Sequence, residues 1–308
     1  MKMLKRSCFL LSIGAFAFLS AFLAPGASAA GSGSATITVT ALAKKDNAAS
    51  PEIKKEDVQF FLNKERTQVA NWRRGEKLYL AVLIDDSLDT DVASQWNDLK
   101  EFFNAQPETT YISVSYARNG VAQMAQDFTN NHELAANALR IPIGPQAFSS
   151  PYLSLIDLLK RLPAGPAERR SILMLSSGVD YFYGNFPESP DLQTAYERAQ
   201  KENVNIWSIY YPDAGHLGRR WSRAFRGQND LSRLAESTGA ESYYLGITEA
   251  VTFKPYLEEL SAHFRNQYLL TFRGSGGAKG RFQRVHLATE VPGVQFLHAP
   301  ETFLAPEK

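Results

Sequence analysis

Residues 80–91 read LAVLIDDSLDTD, an apolar run that ends in Asp85, Asp86, Asp89 and Asp91 with Ser87 among them. Asp85-x-Ser87-x-Asp89 places three hard oxygen donors on one short loop. Such donors suit Mg²⁺, which takes six oxygens in near-octahedral geometry and keeps several waters. One loop cannot supply the whole set, so other strand ends must contribute. The same residues also suit a polar turn, with Asp85 bonding the backbone that follows it. Without a metal, Asp85 and Asp89 would repel each other.

Clustered carboxylates can also hold a metal that activates water, which would make Asp85, Asp86 and Asp89 the centre of a metal-dependent hydrolase. No general base stands out near them. The histidines are His132, His216, His263, His286 and His298. None has H-E-x-x-H spacing, and there is no G-x-S-x-G turn. GSGGAKGR (274–281) lacks the G-K-[ST] ending of a phosphate loop and precedes a strand pattern, so it is expected to be a hairpin connection.

Two stretches carry aromatics. YFYGNFPES (181–189) places Tyr181, Phe182, Tyr183 and Phe186 in a loop after a strand. Exposed, they would contact a protein partner; folded back, they would cover the sheet edge. GHLGRRWSRAFRGQ (215–228) mixes Arg219, Arg220, Arg223 and Arg226 with Trp221 and Phe225. That mixture can grip nucleic acid. The balanced charge of the chain favours instead a solvated helix face with Trp221 and Phe225 turned inward.

The positioning elements follow from periodicity. LYLAVLID (78–85), TTYISVSYAR (109–118), SILMLSSG (171–178) and VNIWSIYYP (204–212) are nearly continuous apolar runs. Strands covered by helices on both faces have this composition. Between them ASQWNDLKEFFNA repeats Trp96, Leu99, Phe102 and Phe103 at helical spacing. HELAANALR, YLSLIDLLKRL, LQTAYERAQKEN and LSRLAEST are further helices, the last stopped by Gly239. The alternation predicts a doubly wound, mostly parallel sheet. The ends differ: ATITVTAL (35–42), short strands around a turn at Asn63-Lys64, and, after a last helix FKPYLEELSAHFRNQ, the strands QYLLTFR (267–273), FQRVHLATEV (282–291) and VQFLHAP (294–300). These should pair into a small antiparallel β-sandwich with the α/β unit inserted. The expected bounds are 1–30, a leader; 31–76, N-terminal strands; 77–265, the α/β unit; and 266–308, the closing strands.

The leader has a charged start (Lys2, Lys5, Arg6), an apolar middle and an Ala27-Ser28-Ala29 ending, the pattern of a cleavable secretory signal peptide. Export to the periplasm or medium is therefore expected. The leader holds three of the 33 basic residues and none of the 32 acidic ones, which leaves 30 against 32. Cys8, the single cysteine, leaves with it, so no disulfide is expected although the compartment would permit one. Near-neutral charge argues against nucleic acid as a partner, and no later segment is long and apolar enough to span a membrane.

An apolar strand, a D-x-S-x-S-like loop, a helix and a later apolar strand together resemble the von Willebrand factor A domain. EIKKEDVQFFLNKE, DLSRLAESTGAESYYL and YLEELSAHFRNQYLLTF are similar, in order and spacing, to the bacterial von Willebrand A-related family over about residues 35 to 303. That resemblance implies a metal-ion-dependent adhesion site. Asp85 and Ser87 match it, and Asp89 stands where the family has serine. Ser149 or Ser150, in AFSSPY, replaces the threonine of the second loop, and Ser177 stands where the family has aspartate. Asp89 could compensate for Ser177; Asp180 lies three residues further on. The resemblance implies a divalent cation, Mg²⁺ or Mn²⁺, on Asp85, Ser87, Asp89, Ser149 and Ser177, or a degenerate site without one. It implies a non-enzymatic, exported module that binds an unidentified protein, with Ser150, Tyr181, Phe182, Tyr183 and Phe186 on the contact face. The hydrolase and a ligand-free envelope scaffold are the alternatives.

Overall fold

The computed structural model describes residues 34–43, 52–163, 168–183, 189–214, 221–244, 246, 251–274 and 280–305. The chain divides into two units, 1–30 and 31–308, and every described residue lies in the second. The leader, Phe186, His216, Arg219 and Arg220 fall outside the described residues.

The chain opens with β1 (Ser34–Ala43), β2 (Val58–Leu62), β3 (Glu65–Arg66) and β4 (Val69–Arg74). Asn63 and Lys64 both have positive φ, 50° and 73°, as a two-residue hairpin turn between β2 and β3 requires. The α/β unit then runs β5 (Leu78–Asp85), α1 (Trp96–Asn104), β6 (Thr110–Arg118), β7 (Val121–Thr129), α2 (His132–Asn137), α3 (Pro151–Leu159), β8 (Arg169–Ser176), α4 (Pro190–Glu202), β9 (Asn205–Tyr210), α5 (Trp221–Thr238), β10 (Ser242–Tyr243) and α6 (Lys254–Arg265). The chain closes with β11 (Gln267–Arg273), β12 (Arg281–Thr289), β13 (Val294–His298) and β14 (Glu301–Leu304).

Six strands form the central sheet in the order β10-β9-β8-β5-β6-β7, parallel except for the edge strand β7. Alternation sorts its side chains between two cores. Leu80, Val82 and Ile84 of β5 join Leu173, Leu175, Trp207 and Ile209 beneath α1 and α6. Ala81 and Leu83 join Ile172, Met174 and Ile206 beneath α3 and α4. Burying each large aliphatic chain stabilises by about 1.5–3 kcal/mol, and a one-residue register slip would exchange the two layers. The helical stripe Trp96, Leu99, Phe102 and Phe103 is buried as its spacing predicts.

The two ends make a sandwich of sheets β13-β1-β11-β4 and β14-β12-β2-β3. Phe60, Leu270, Phe272 and Leu287 fill the space between them. Segment 274–281 is not a hairpin. β11 already has β1 and β4 on its two edges, so the chain crosses to the other sheet and pairs β12 with β2 and β14. Arg169, at the start of β8, joins the two parts: Nη1 donates to Phe264 O (2.5 Å) and Nη2 to Glu76 O (3.2 Å).

Trp221 and Phe225 do not turn inward. They are 67% and 48% exposed, with ring centroids 5.8 Å apart. The inner stripe of α5 is instead Ala224, Gly227, Gln228, Leu231, Leu234 and Ala235. Its first half is small because Gly227 lies against the Ser177 backbone; a Cβ there would stand 1.9 Å from Ser177 O. Among the described residues, no helix is long and apolar enough to cross a membrane.

Candidate functional site

β6 lies on one side of β5 and β8 on the other. The strand order therefore reverses at β5, and the carboxyl ends of β5, β8 and β9 border the place where open α/β sheets bind ligands. Asp85 ends β5 there and is about 1% exposed. Its Oδ1 accepts from Ser87 N (3.0 Å) and Ser87 Oγ (2.7 Å), and its Oδ2 from Ser176 Oγ (2.9 Å). Ser149, fully buried, also bonds to this carboxylate. Asp85 thus fulfils the turn role and faces a cluster of hydroxyls at once.

A second carboxylate completes the cluster. Asp213 follows β9 and is about 1% exposed. Its Oδ1 lies 3.3 Å from Ser87 Oγ, its Oδ2 accepts from Tyr181 Oη (2.8 Å), and the Ser177 hydroxyl bonds to it too. Backbone lacing brings it there: Asp89 N donates to Pro212 O (3.1 Å), Ala214 N to Ser87 O (3.1 Å), and Leu88 and Asp213 form an isolated bridge. Burial, and then the negative charge of Asp85, push the Asp213 carboxyl up to about 7. Burial likewise raises Asp85, against the hydroxyls that favour its charged form. Two carboxyls this close in a dry setting cannot both ionise without a cation.

The acidic residues after Asp85 face elsewhere. Asp86, wholly buried, takes Arg140 Nη1 (2.7 Å) and Nη2 (2.9 Å) on its two oxygens, while Arg140 lies 3.7 Å from the Tyr116 ring centroid. Asp89 caps the 3₁₀ turn at 90–95, its Oδ1 accepting from Asp91 N (3.2 Å). A hydrolytic trio of Asp85, Asp86 and Asp89 is not assembled: among the described residues the one group of three or more close acidic or histidine ligands lies at Glu241, Glu259 and His263.

The described start of the loop after β8, residues 177–183, is held by hydrogen bonds. Asp180 accepts from Ser150 Oγ (2.9 Å), Ser189 Oγ (2.7 Å) and Phe182 N (3.0 Å). Ser150 therefore supports this loop, and only Ser149 of the pair bonds Asp85. Tyr181 turns its hydroxyl inward to Asp213, and Tyr183 bonds Asp191 at the start of α4. Phe182 remains 45% exposed, and Phe148, whose ring centroid is 6.4 Å from that of Tyr181, is 63% exposed. Asp213 is the residue that sequence reading passed over. Its signal was present: IWSIYYPD ends an apolar strand on an acid, as LAVLID does.

No protein-family model matches the sequence, and no curated protein matches it. Solved structures of von Willebrand A proteins do resemble the chain. A von Willebrand factor type A protein from Catenulispora acidiphila is 11% identical, over 91% of this chain and 76% of that one, with a TM-score of 0.44. An aerotolerance-related membrane protein from Bacteroides fragilis is 7% identical over 61% and 98%, with a TM-score of 0.45. Manganese-loaded TRAP protein from Plasmodium vivax is 9% identical over 82% and 100%, with a TM-score of 0.43. At these identities the likeness is one of fold, and the ligands of this chain have to be argued from its own residues.

Proposed function

We propose that the chain is an exported protein-binding module that docks a partner on the carboxyl edge of its six-stranded sheet, with Mg²⁺ or Mn²⁺ held between Asp85 and Asp213. The observation that carries this reading is the buried pair of carboxylates meeting at Ser87. The donor set fits a hard cation: two carboxylates and the hydroxyls of Ser87, Ser149 and Ser177, all oxygen. Asp213 takes the place offered to Asp89. The cation would present positive charge to an acidic group of the partner. Both carboxylates are about 1% exposed, so a partner reaches the cation only when the surrounding loops, Tyr181 among them, rearrange. Phe148 and Phe182, and Trp221 and Phe225 on the first turns of α5, offer exposed aromatic area of the kind protein interfaces use. Export rests on the leader.

Calorimetric titration of Mn²⁺ into the protein, Asp85→Ala and Asp213→Ala tests the reading. Binding by the wild type that both variants lose supports it. Absence of binding by the wild type overturns the metal and leaves the aromatic residues as the contact surface. Chelator-sensitive turnover of ester or phosphate substrates would replace the binding module with a hydrolase.

A further inference from the structure

A second group of ligand atoms lies at the β10 edge of the sheet, on residues that the proposed docking face does not use. Glu259 and His263 stand one turn apart on α6 and share a face. Glu241 immediately precedes β10, and Tyr243 lies within it. One carboxylate oxygen from each glutamate and a ring nitrogen of His263 all lie within 4.8 Å of one another. His263 Nδ1 is 3.8 Å from Glu241 Oε2, and Nε2 is 3.9 Å from Glu259 Oε1. Both gaps are too long for hydrogen bonds.

Two carboxylates and an imidazole therefore converge, and the His263 side chain is nine-tenths buried with Nε2 3.9 Å from Glu259 Oε1.

We propose that Glu241, Glu259 and His263 bind a Zn²⁺ ion that ties α6 to the edge strand β10. Zn²⁺ sits about 2.0–2.2 Å from imidazole nitrogen and carboxylate oxygen, which puts tetrahedral ligand atoms about 3.4 Å apart. Nε2 is 3.9 Å from Glu259 Oε1, while the 3.8 Å contact of Glu241 Oε2 is with Nδ1; with all three ligand atoms within 4.8 Å of one another, they need to close by between about half an ångström and about 1.4 Å. The Glu259 side chain, 53% exposed, has room to move. Nitrogen with two carboxylates favours a transition ion over Mg²⁺ or Ca²⁺. Tyr243 Oη lies 3.3 Å from His263 Nδ1. It can accept the Nδ1 proton, which fixes the tautomer whose Nε2 is a ligand. The buried Trp207 ring, 5.2 Å from the imidazole and inclined by 31°, braces its plane. Three protein ligands leave the fourth position to water. Because α6 runs directly into β11, the ion would also steady the junction with the sandwich.

Zn²⁺ titration of the full chain by calorimetry tests this, with Asp85→Asn, Glu259→Gln and His263→Gln in parallel and folding checked by circular dichroism. Beyond any ion held at Asp85, one equivalent is expected to bind to the wild type and to persist in Asp85→Asn, with the affinity of that equivalent weakened roughly tenfold or more in Glu259→Gln and His263→Gln. Zinc-edge absorption should report one imidazole nitrogen among oxygen ligands. Glu259 is half-exposed, so its amide variant is expected to keep the fold. Failure of the wild type to bind Zn²⁺, or undiminished binding by Glu259→Gln, overturns the site. Loss of binding in Asp85→Asn alone would assign the ion to the other carboxylate pair and overturn it equally.

Discussion

Asp85 ends β5 and Asp213 lies three residues beyond β9, strands that are not neighbours, yet the two meet at one hydroxyl: Ser87 Oγ lies 2.7 Å from Asp85 Oδ1 and 3.3 Å from Asp213 Oδ1. β8 lies between the two strands and contributes hydroxyls, Ser176 to Asp85 and Ser177 to Asp213. The loops after three strands, β5, β8 and β9, thus converge on one buried pair of carboxylates.

Charge at Asp213 should therefore govern cation binding. Asp213→Asn keeps the shape and the Tyr181 contact but removes half of the anionic charge. Mn²⁺ affinity by calorimetry is expected to fall at least tenfold, while Asp89→Asn, at the cap of the 3₁₀ turn, should leave it within about twofold.

The same pair should mark the pH dependence of stability when metal is chelated. The Asp213 carboxyl stands at about 7 in the fold against an ordinary 3.8. The folded state thus holds the proton more tightly than the unfolded one. This contribution to stability is fully present below the ordinary value and lost as pH rises through the folded one. Urea unfolding at about pH 5 and about pH 8 should show the wild type losing stability relative to Asp213→Asn. A constant difference between the two proteins would refute the coupling.

Arg140 neutralises Asp86, which has no exposure of its own. Arg140→Ala leaves that carboxylate buried without its cation and should cost about 3 kcal/mol in urea unfolding. The double variant Arg140→Ala/Asp86→Asn should recover part of the loss, because the uncompensated charge is gone.

Gly227 fixes how closely α5 approaches the strand end that carries Ser177. A Cβ at 227 would stand 1.9 Å from Ser177 O, and one at Gly178 2.2 Å from Gly227 O. Both contacts are with backbone, which cannot swing aside. Gly227→Ala should destabilise by about 3 kcal/mol and weaken Mn²⁺ binding, whereas Gly246→Ala, strained by a φ of 61° but meeting no neighbour, should cost stability and leave binding unchanged.

Much of the fold was legible because burial on both faces leaves a composition signature. β11 and the stripe on α1 fall where their patterns put them, and the pairing of the N-terminal and C-terminal strands follows from both ends being antiparallel in character. β7 was silent because VAQMAQDFT is an edge strand with one side in water, so its apolar content is low. The crossover at 274–281 was misread because a glycine-rich link looks alike between neighbours and between sheets. Trp221 and Phe225 misled because an aromatic pair at helical spacing resembles a core stripe until Gly227 shows that the inner face has no room. In the candidate site, Asp85 and Ser87 came from a local motif and Ser149 from the family resemblance, and all three share one hydrogen-bonded cluster. Asp213 came from neither, since its proximity to Ser87 is a tertiary fact made by backbone bonds between two loops.

Arg169 also bears on the order in which the molecule assembles. β1 must pair with β11, Thr40 opposite Gln267, so the sandwich cannot close until nearly all of the chain exists. Closing so long a loop in an unfolded chain is slow. Once the α/β unit has formed, Arg169 holds Glu76 and Phe264 to one side chain, and Arg74 and Tyr268 emerge already side by side, as β4 and β11 pair them. The long loop is then replaced by a short hairpin-like step. A sandwich templated in this way predicts that loss of the Arg169 contacts is felt in stopped-flow refolding as a slower rate as well as in lower stability.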